Sequence, residues 1–115
     1  MTLVKVDRRA RPQLHEQVAA QIRRAVADGE AEPGERLPPA RDLAAVMSVN
    51  TNTVLRALRQ LRDEGLLEFR RGRGVRVVGT PARGRVLEKA VELVELGRRH
   101  GYARDDLLRM IRSVP

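Results

Sequence analysis

Residues 49–61 read Val49-Asn50-Thr51-Asn52-Thr53-Val54-Leu55-Arg56-Ala57-Leu58-Arg59-Gln60-Leu61. Val54, Leu58 and Leu61 recur at spacings of four and three, the period of one face of a helix, and Asn52, Arg56 and Arg59 fall on the other side. The start is polar, and the side-chain oxygen of Asn50 or Thr51 is suited to accept an N–H that the first helical turn leaves free. One face can anchor while the other reads, the form needed by a helix whose N-terminal end enters a DNA major groove. A surface helix with solvated arginines fits the same thirteen residues, so their neighbours have to decide.

Upstream, Pro39 opens a helix over residues 40–47 that buries Leu43, Ala44 and Met47 and leaves Arg41 and Asp42 outside, and Ser48-Val49-Asn50 makes a turn. Two short helices joined by such a turn form a helix-turn-helix. Residues 29–38 are a turn-rich connector with Pro33-Gly34 at its centre and Leu37 as its one apolar anchor. Before it, Pro12 suits the first turn of a helix whose stripe is Leu14, Val18, Ile22 and Ala25 or Val26, with Gly29 beyond its end. Residues 1–11 are expected to be an arm, with at most a short strand at Leu3-Val4-Lys5-Val6. His15 lies off the stripe, and no second ligand or nucleophile stands near it in sequence.

Downstream, the helix is expected to run to Glu64 and stop at Gly65. Leu66-Leu67-Glu68-Phe69-Arg70 then reads as a strand, Arg71-Gly72-Arg73-Gly74 as a turn and Val75-Arg76-Val77-Val78 as the returning strand. In this hairpin wing Arg70, Arg71, Arg73 and Arg76 concentrate positive charge, and on the same small domain as a helix-turn-helix that charge is expected to meet phosphates. Residues 80–84 read as a linker, because Gly79, Pro81 and Gly84 interrupt both periods. A helix over residues 85–99 follows, with Val86, Leu87, Ala90, Val91, Leu93 and Val94, and a shorter one over residues 104–112, with Leu107, Leu108 and Ile111. Two such helices cannot bury these side chains alone. They need either the DNA-binding domain or a second copy of the chain, and these nine residues are the expected dimerisation surface.

The expected fold is thus mainly α with a small β-hairpin: a winged helix-turn-helix over residues 1–79, a linker over 80–84 and a two-helix dimerisation region over 85–115. Composition agrees. With aromatics at 2%, Phe69 and Tyr102 alone, the core of this 115-residue chain must be aliphatic. The net charge of +8 calls for a polyanionic partner, and residues 1–83 carry +6 of it. No apolar run reaches the roughly 18 residues of a membrane span, and no signal-like start is seen. The absence of cysteine removes disulfides and thiolate metal sites and fits a cytoplasmic protein. No Gly-rich phosphate loop, metal-ligand spacing or nucleophile with a base is present, so neither an enzyme nor a cofactor is expected.

These residues also carry a family pattern. Pro33-Gly34-Glu35-Arg36-Leu37-Pro38, Arg41-Asp42-Leu43-Ala44, Val49-Asn50, Asn52-Thr53-Val54, Arg56-Ala57-Leu58, Leu61, Glu64-Gly65-Leu66 and Gly72-Arg73-Gly74 closely resemble the winged helix-turn-helix of the GntR family of bacterial transcription regulators. Pro12-Gln13-Leu14-His15-Glu16-Gln17, the Val-Asn-x-Asn-Thr-Val form of the reading helix and the short two-helix C-terminal region look most like the YtrA subfamily. The resemblance implies a homodimer on an inverted-repeat operator, usually as a repressor, located in the cytoplasm at the nucleoid. It implies DNA contacts at Arg41, Thr51, Asn52, Thr53, Arg56 and the Gly72-Arg73-Gly74 wing. Pro39 departs from the capping Ser common there, and Ser48 from a turn glycine.

Chemistry suggests how each would act. Asn52 suits bidentate pairing with adenine, Thr51 or Thr53 a base edge or phosphate, Leu55 a thymine methyl, and Arg56 a guanine or phosphate. Arg41 suits the backbone or a base, and Arg71 and Arg73 the minor groove or phosphates along the wing. The alternative is an architectural or protein-interaction winged-helix module that uses its basic face without sequence preference. A small-molecule effector is undetermined by the sequence; the C-terminal helices look too small to hold one, which leaves a dimer interface or a change in the angle between reading heads.

Overall fold

The computed structural model describes residues 1–9 and 13–115. Five helices and one hairpin follow in the order α1 (Leu14–Ala27), α2 (Ala40–Met47), α3 (Thr51–Asp63), β1 (Leu67–Arg70), β2 (Gly74–Val77), α4 (Pro81–Arg99) and α5 (Arg104–Ser113). The expected placement of Pro12 in the first turn of α1 lies outside the described residues.

The aliphatic stripes meet as their spacing requires. Val18, Ile22 and Val26 of α1, Leu43 and Met47 of α2, and Val54, Leu58 and Leu61 of α3 are fully or almost fully buried, and Leu66 and Val77 close the core from the hairpin. A buried side chain of this size contributes about 1.5–3 kcal/mol, so the three-helix packing rests on these positions. Asn50 is the N-cap of α3, its side-chain oxygen accepting the Asn52 N–H at 2.8 Å. At the head of α2, Pro39 supplies no side-chain cap. Ser48 takes the left-handed conformation at φ 56° in the turn before α3, a place that favours glycine.

The two strands are antiparallel with Leu67 opposite Val77 and Phe69 opposite Val75. Gly72 and Gly74 both have positive φ at the tip, which explains the two glycines in the Arg-Gly-Arg-Gly turn. The connector reinforces the wing from the other side: Leu37 donates to the Val75 carbonyl at 2.8 Å and Val77 to the Glu35 carbonyl at 2.9 Å. Arg62 of α3 stacks over the Phe69 ring, 5.0 Å from its centre, and so fixes the wing to the reading helix.

The expected linker over residues 80–84 is instead the cap and first turn of α4. The Thr80 hydroxyl accepts the Arg83 N–H at 3.1 Å, and Pro81 sits where a helix start tolerates it. Gly84 is not a breaker but a contact: a Cβ there would lie 2.9 Å from the Ala27 backbone nitrogen. Arg85 donates to the Ala27 carbonyl at 3.1 Å and Arg83 to the Glu64 carbonyl at 2.9 Å, so α4 caps the ends of both α1 and α3. α4 is therefore docked directly on α1 and the end of α3 rather than tethered to them, and α5 packs in turn on α4.

Candidate nucleic-acid interface

The cations and polar groups expected to read DNA lie at the N-terminal end of α3, on α2 and on the wing. Asn50 accepts the Asn52 backbone N–H, and the Asn52 side chain is exposed at the start of α3. Arg56 and Arg59 are exposed farther along, while Thr51, Thr53 and Leu55 are half-buried flanks. Arg41, in the first turn of α2, has a side chain that is 84% exposed, with Asp42 no nearer than 3.9 Å. Every expected contact residue of the helix-turn-helix thus keeps an open edge.

The wing is less uniformly charged than its four arginines suggest. Arg70 is paired with Glu68 at 2.6 Å, and Arg76 donates to the Gly34 carbonyl at 3.0 Å. Arg71 and Arg73 are exposed and enter no ion pair among the described residues. Among the described residues the wing's exposed, unengaged guanidiniums are therefore the two at its tip, while Arg76 keeps its charge but is held to the connector, and the tip is suited to following phosphates.

His15, half-buried in the first turn of α1, lies near enough to Arg56 to feel its charge. Burial lowers its pKa, the nearby Arg56 guanidinium lowers it further, and Glu16 opposes them. Because the folded chain binds this proton less readily than the unfolded one, stability is full above the ordinary imidazole value, about 6.5, and declines as pH falls from there through the depressed folded value. A His15→Gln variant should show a flatter melting temperature between pH 7 and 5.5 than the parent chain. Equal slopes in thermal melts would refute the role of His15.

Several residues expected at a dimer surface are used within the chain. Leu107 is 6% exposed and packs on Gly97, whose missing side chain makes room for it. Leu87 packs against the core, and Val91 and Val94 are half-buried. Leu87, Ala90, Val91 and Val94 border a groove of about 560 Å³ that runs beside Ala20 and Gln60, with Arg23 and Glu64 in its wall. The sequence offered no such cavity within one chain. What remains open on the two C-terminal helices is Val86, Ala90, Leu93, Leu108 and Ile111 of the expected residues, together with Leu96 and Met110. No cluster of three or more potential metal ligands occurs among the described residues.

The sequence reading also missed an ion pair. Arg23 is 3% exposed, and its Nε and Nη2 donate to the two carboxylate oxygens of Glu64 at 2.8 and 2.7 Å. The available signal was a charge at position 23 immediately beside Ile22, on the buried side of α1.

The profile described as bacterial regulatory proteins, gntR family, matches residues 14–77. The chain belongs to the GntR family. Within that family it is similar to YtrA regulators, among others. The HTH-type transcriptional repressor YtrA of Bacillus subtilis is 36% identical over 72 residues, 63% of this chain and 55% of that protein. This GntR chain therefore aligns with little more than half of that relative. The HTH-type transcriptional regulator Rv1152 of Mycobacterium tuberculosis is 34% identical over 113 residues, 97% of this chain and 93% of that one. A solved structure, YtrA from Sulfolobus acidocaldarius, a GntR-family transcription factor, superposes with a TM-score of 0.62 at 28% identity and covers 95% of this chain and 93% of its own. The GntR match ends at residue 77, so it covers the helix-turn-helix and wing, whereas Rv1152 and the Sulfolobus YtrA extend the likeness over α4 and α5.

Proposed function

We propose that this chain is a sequence-specific DNA-binding transcription regulator that represses by occupying an inverted-repeat operator as a homodimer. The observation that carries the reading is the exposed Asn52 side chain, held at the N-terminus of an anchored helix by the Asn50 cap. Asn52 pairs with an adenine edge, and Arg56 reads a guanine or clamps a phosphate one turn along. Arg41 and the tip arginines Arg71 and Arg73 hold the backbone and set the register. The apolar residues left open on α4 and α5 support pairing with a second copy, which sets two reading heads on two half-sites. The chain works on chromosomal DNA in the cytoplasm, and among its described residues no helix is long and apolar enough to cross a membrane.

Selection of bound fragments from random DNA with the purified chain is expected to return a palindromic site. On that site Asn52→Ala should cost about 1–3 kcal/mol against the best sequence and flatten the preference at one base pair of each half-site. Arg73→Ala should weaken all sequences alike and reduce the slope of log affinity against log salt by about one per head. If operator and random DNA compete equally for the parent chain at fixed salt, it is a nonspecific module and the repressor reading fails.

A further inference from the structure

The N-terminal arm is built into the reading head by its backbone. Gln21 accepts the Val4 N–H at 2.8 Å and donates to the Val4 carbonyl at 2.9 Å. One turn earlier on α1, Gln17 does the same for Asp7, at 3.0 and 2.8 Å. Two side-chain amides thus pair with the arm as a neighbouring strand would, although the described arm residues form no strand. Leu3 and Val6 turn inward and pack against the core, and Val6 donates to the Met47 carbonyl at 3.1 Å. The path ends beside the turn of the helix-turn-helix, where Arg8 donates to the Ser48 carbonyl at 2.9 Å. That carbonyl lies two residues before Asn50, the cap of the reading helix.

This route brings charge to the interface. Lys5, Arg8 and Arg9 are exposed, and none of the ion pairs among the described residues involves them. The neighbouring carboxylate is held in the chain's own turn, where Asp7 accepts the Arg9 N–H at 2.9 Å, and it offsets only one of the three cations. Packing alone would be met by Leu3 and Val6. It does not account for four backbone hydrogen bonds to Gln17 and Gln21 that carry the segment on to the helix-turn-helix turn.

We infer that the arm is a second DNA-contacting element, in which the Gln17 and Gln21 clamps hold Arg8 and Arg9 against phosphates flanking those approached by α3. The inference rests on the operator reading above, because α3 must lie in the major groove for the arm to reach the flank. Each arginine adds a sequence-independent, salt-sensitive contact next to the helix that reads bases.

The test is operator titration across a salt series with the full chain, paired with phosphate ethylation interference. Arg8→Gln/Arg9→Gln should reduce the salt slope by about two per head, weaken operator and random DNA by the same factor, and abolish interference at a phosphate beside the α3 contacts. Gln17→Ala/Gln21→Ala, which keeps every charge, should lose that same interference position. Thermal melting reports whether each variant remains folded; the arginine pair is exposed and should melt as the parent does. A slope and interference pattern unchanged in Arg8→Gln/Arg9→Gln, while Arg73→Ala lowers the slope, overturns the arm proposal and leaves the operator reading intact. A parent chain that binds no DNA in preference to any other overturns the operator reading, and the arm proposal with it.

Discussion

Replacing Glu64 by alanine is expected to destabilise the fold by about 3–5 kcal/mol, a large part of the 5–15 kcal/mol typical of a domain. The Arg23 guanidinium is held almost completely out of water, and Glu64 alone among the described residues meets it with a carboxylate, through two hydrogen bonds shorter than 3 Å. Removing the carboxylate leaves a nearly buried guanidinium without its counter-charge, since arginine stays protonated at any workable pH. Gln60, which donates to the same carboxylate at 3.2 Å, brings no compensating negative charge. The effect reaches past stability, because the backbone carbonyl of Glu64 also receives Arg83 from α4. Arg23→Met/Glu64→Leu should recover most of the loss, as replacing both partners of a buried pair by apolar groups is often neutral. Urea unfolding checks this: a midpoint shift at constant slope is expected. A loss below about 1 kcal/mol for Glu64→Ala, the size of an exposed pair, would show that water reaches Arg23.

The helices and the wing were legible because aliphatic spacing survives translation into structure almost residue by residue. Leu43, Ala44 and Met47 of α2 and Val54, Leu58 and Leu61 of α3 are buried as their period requires. What the sequence concealed lies where side chains act against their usual meaning. Gly84 reads as a helix breaker until its place against Ala27 is known, because close approach between helices wants the same absent side chain as a flexible linker does. Arg23 reads as surface charge because its partner is forty-one positions away. Gln17 and Gln21 are ordinary helix residues whose partners, two backbone units of the arm, have no sequence signature. Of the candidate DNA residues, Asn52 and Arg56 were placed opposite the core stripe of α3 by periodicity, and the structure leaves both exposed. The unequal roles of the wing arginines depended on Glu68 and Gly34 and needed three dimensions.

Introducing charge on the open face of the C-terminal helices, as in Leu93→Glu/Met110→Glu, is expected to yield a folded monomer that binds the full operator about 10²–10⁴ times more weakly than the parent. Leu93 and Met110 line one shallow cleft on α4 and α5 with Leu96 and Tyr102, and all four are exposed in the single chain. A glutamate there meets water in the monomer and costs little, whereas in a paired interface it meets apolar surface and its own symmetry copy. The size follows from linkage. When two heads are joined, the second half-site is engaged at a high effective concentration, and separating the heads removes that gain, about 3–5 kcal/mol, while every residue proposed to contact DNA stays in place. Affinity for an isolated half-site should therefore be unchanged. Cutting the chain before Gly84 is a poorer experiment, because it also strips Leu87 from the core and Arg85 from the end of α1. Sedimentation together with full-site and half-site titrations separates the outcomes. A variant that sediments as a monomer yet holds the full operator as tightly as the parent would mean that one head suffices. One that remains a dimer would place the interface on another face, and the groove bordered by Val91 and Val94 would be the next surface to charge.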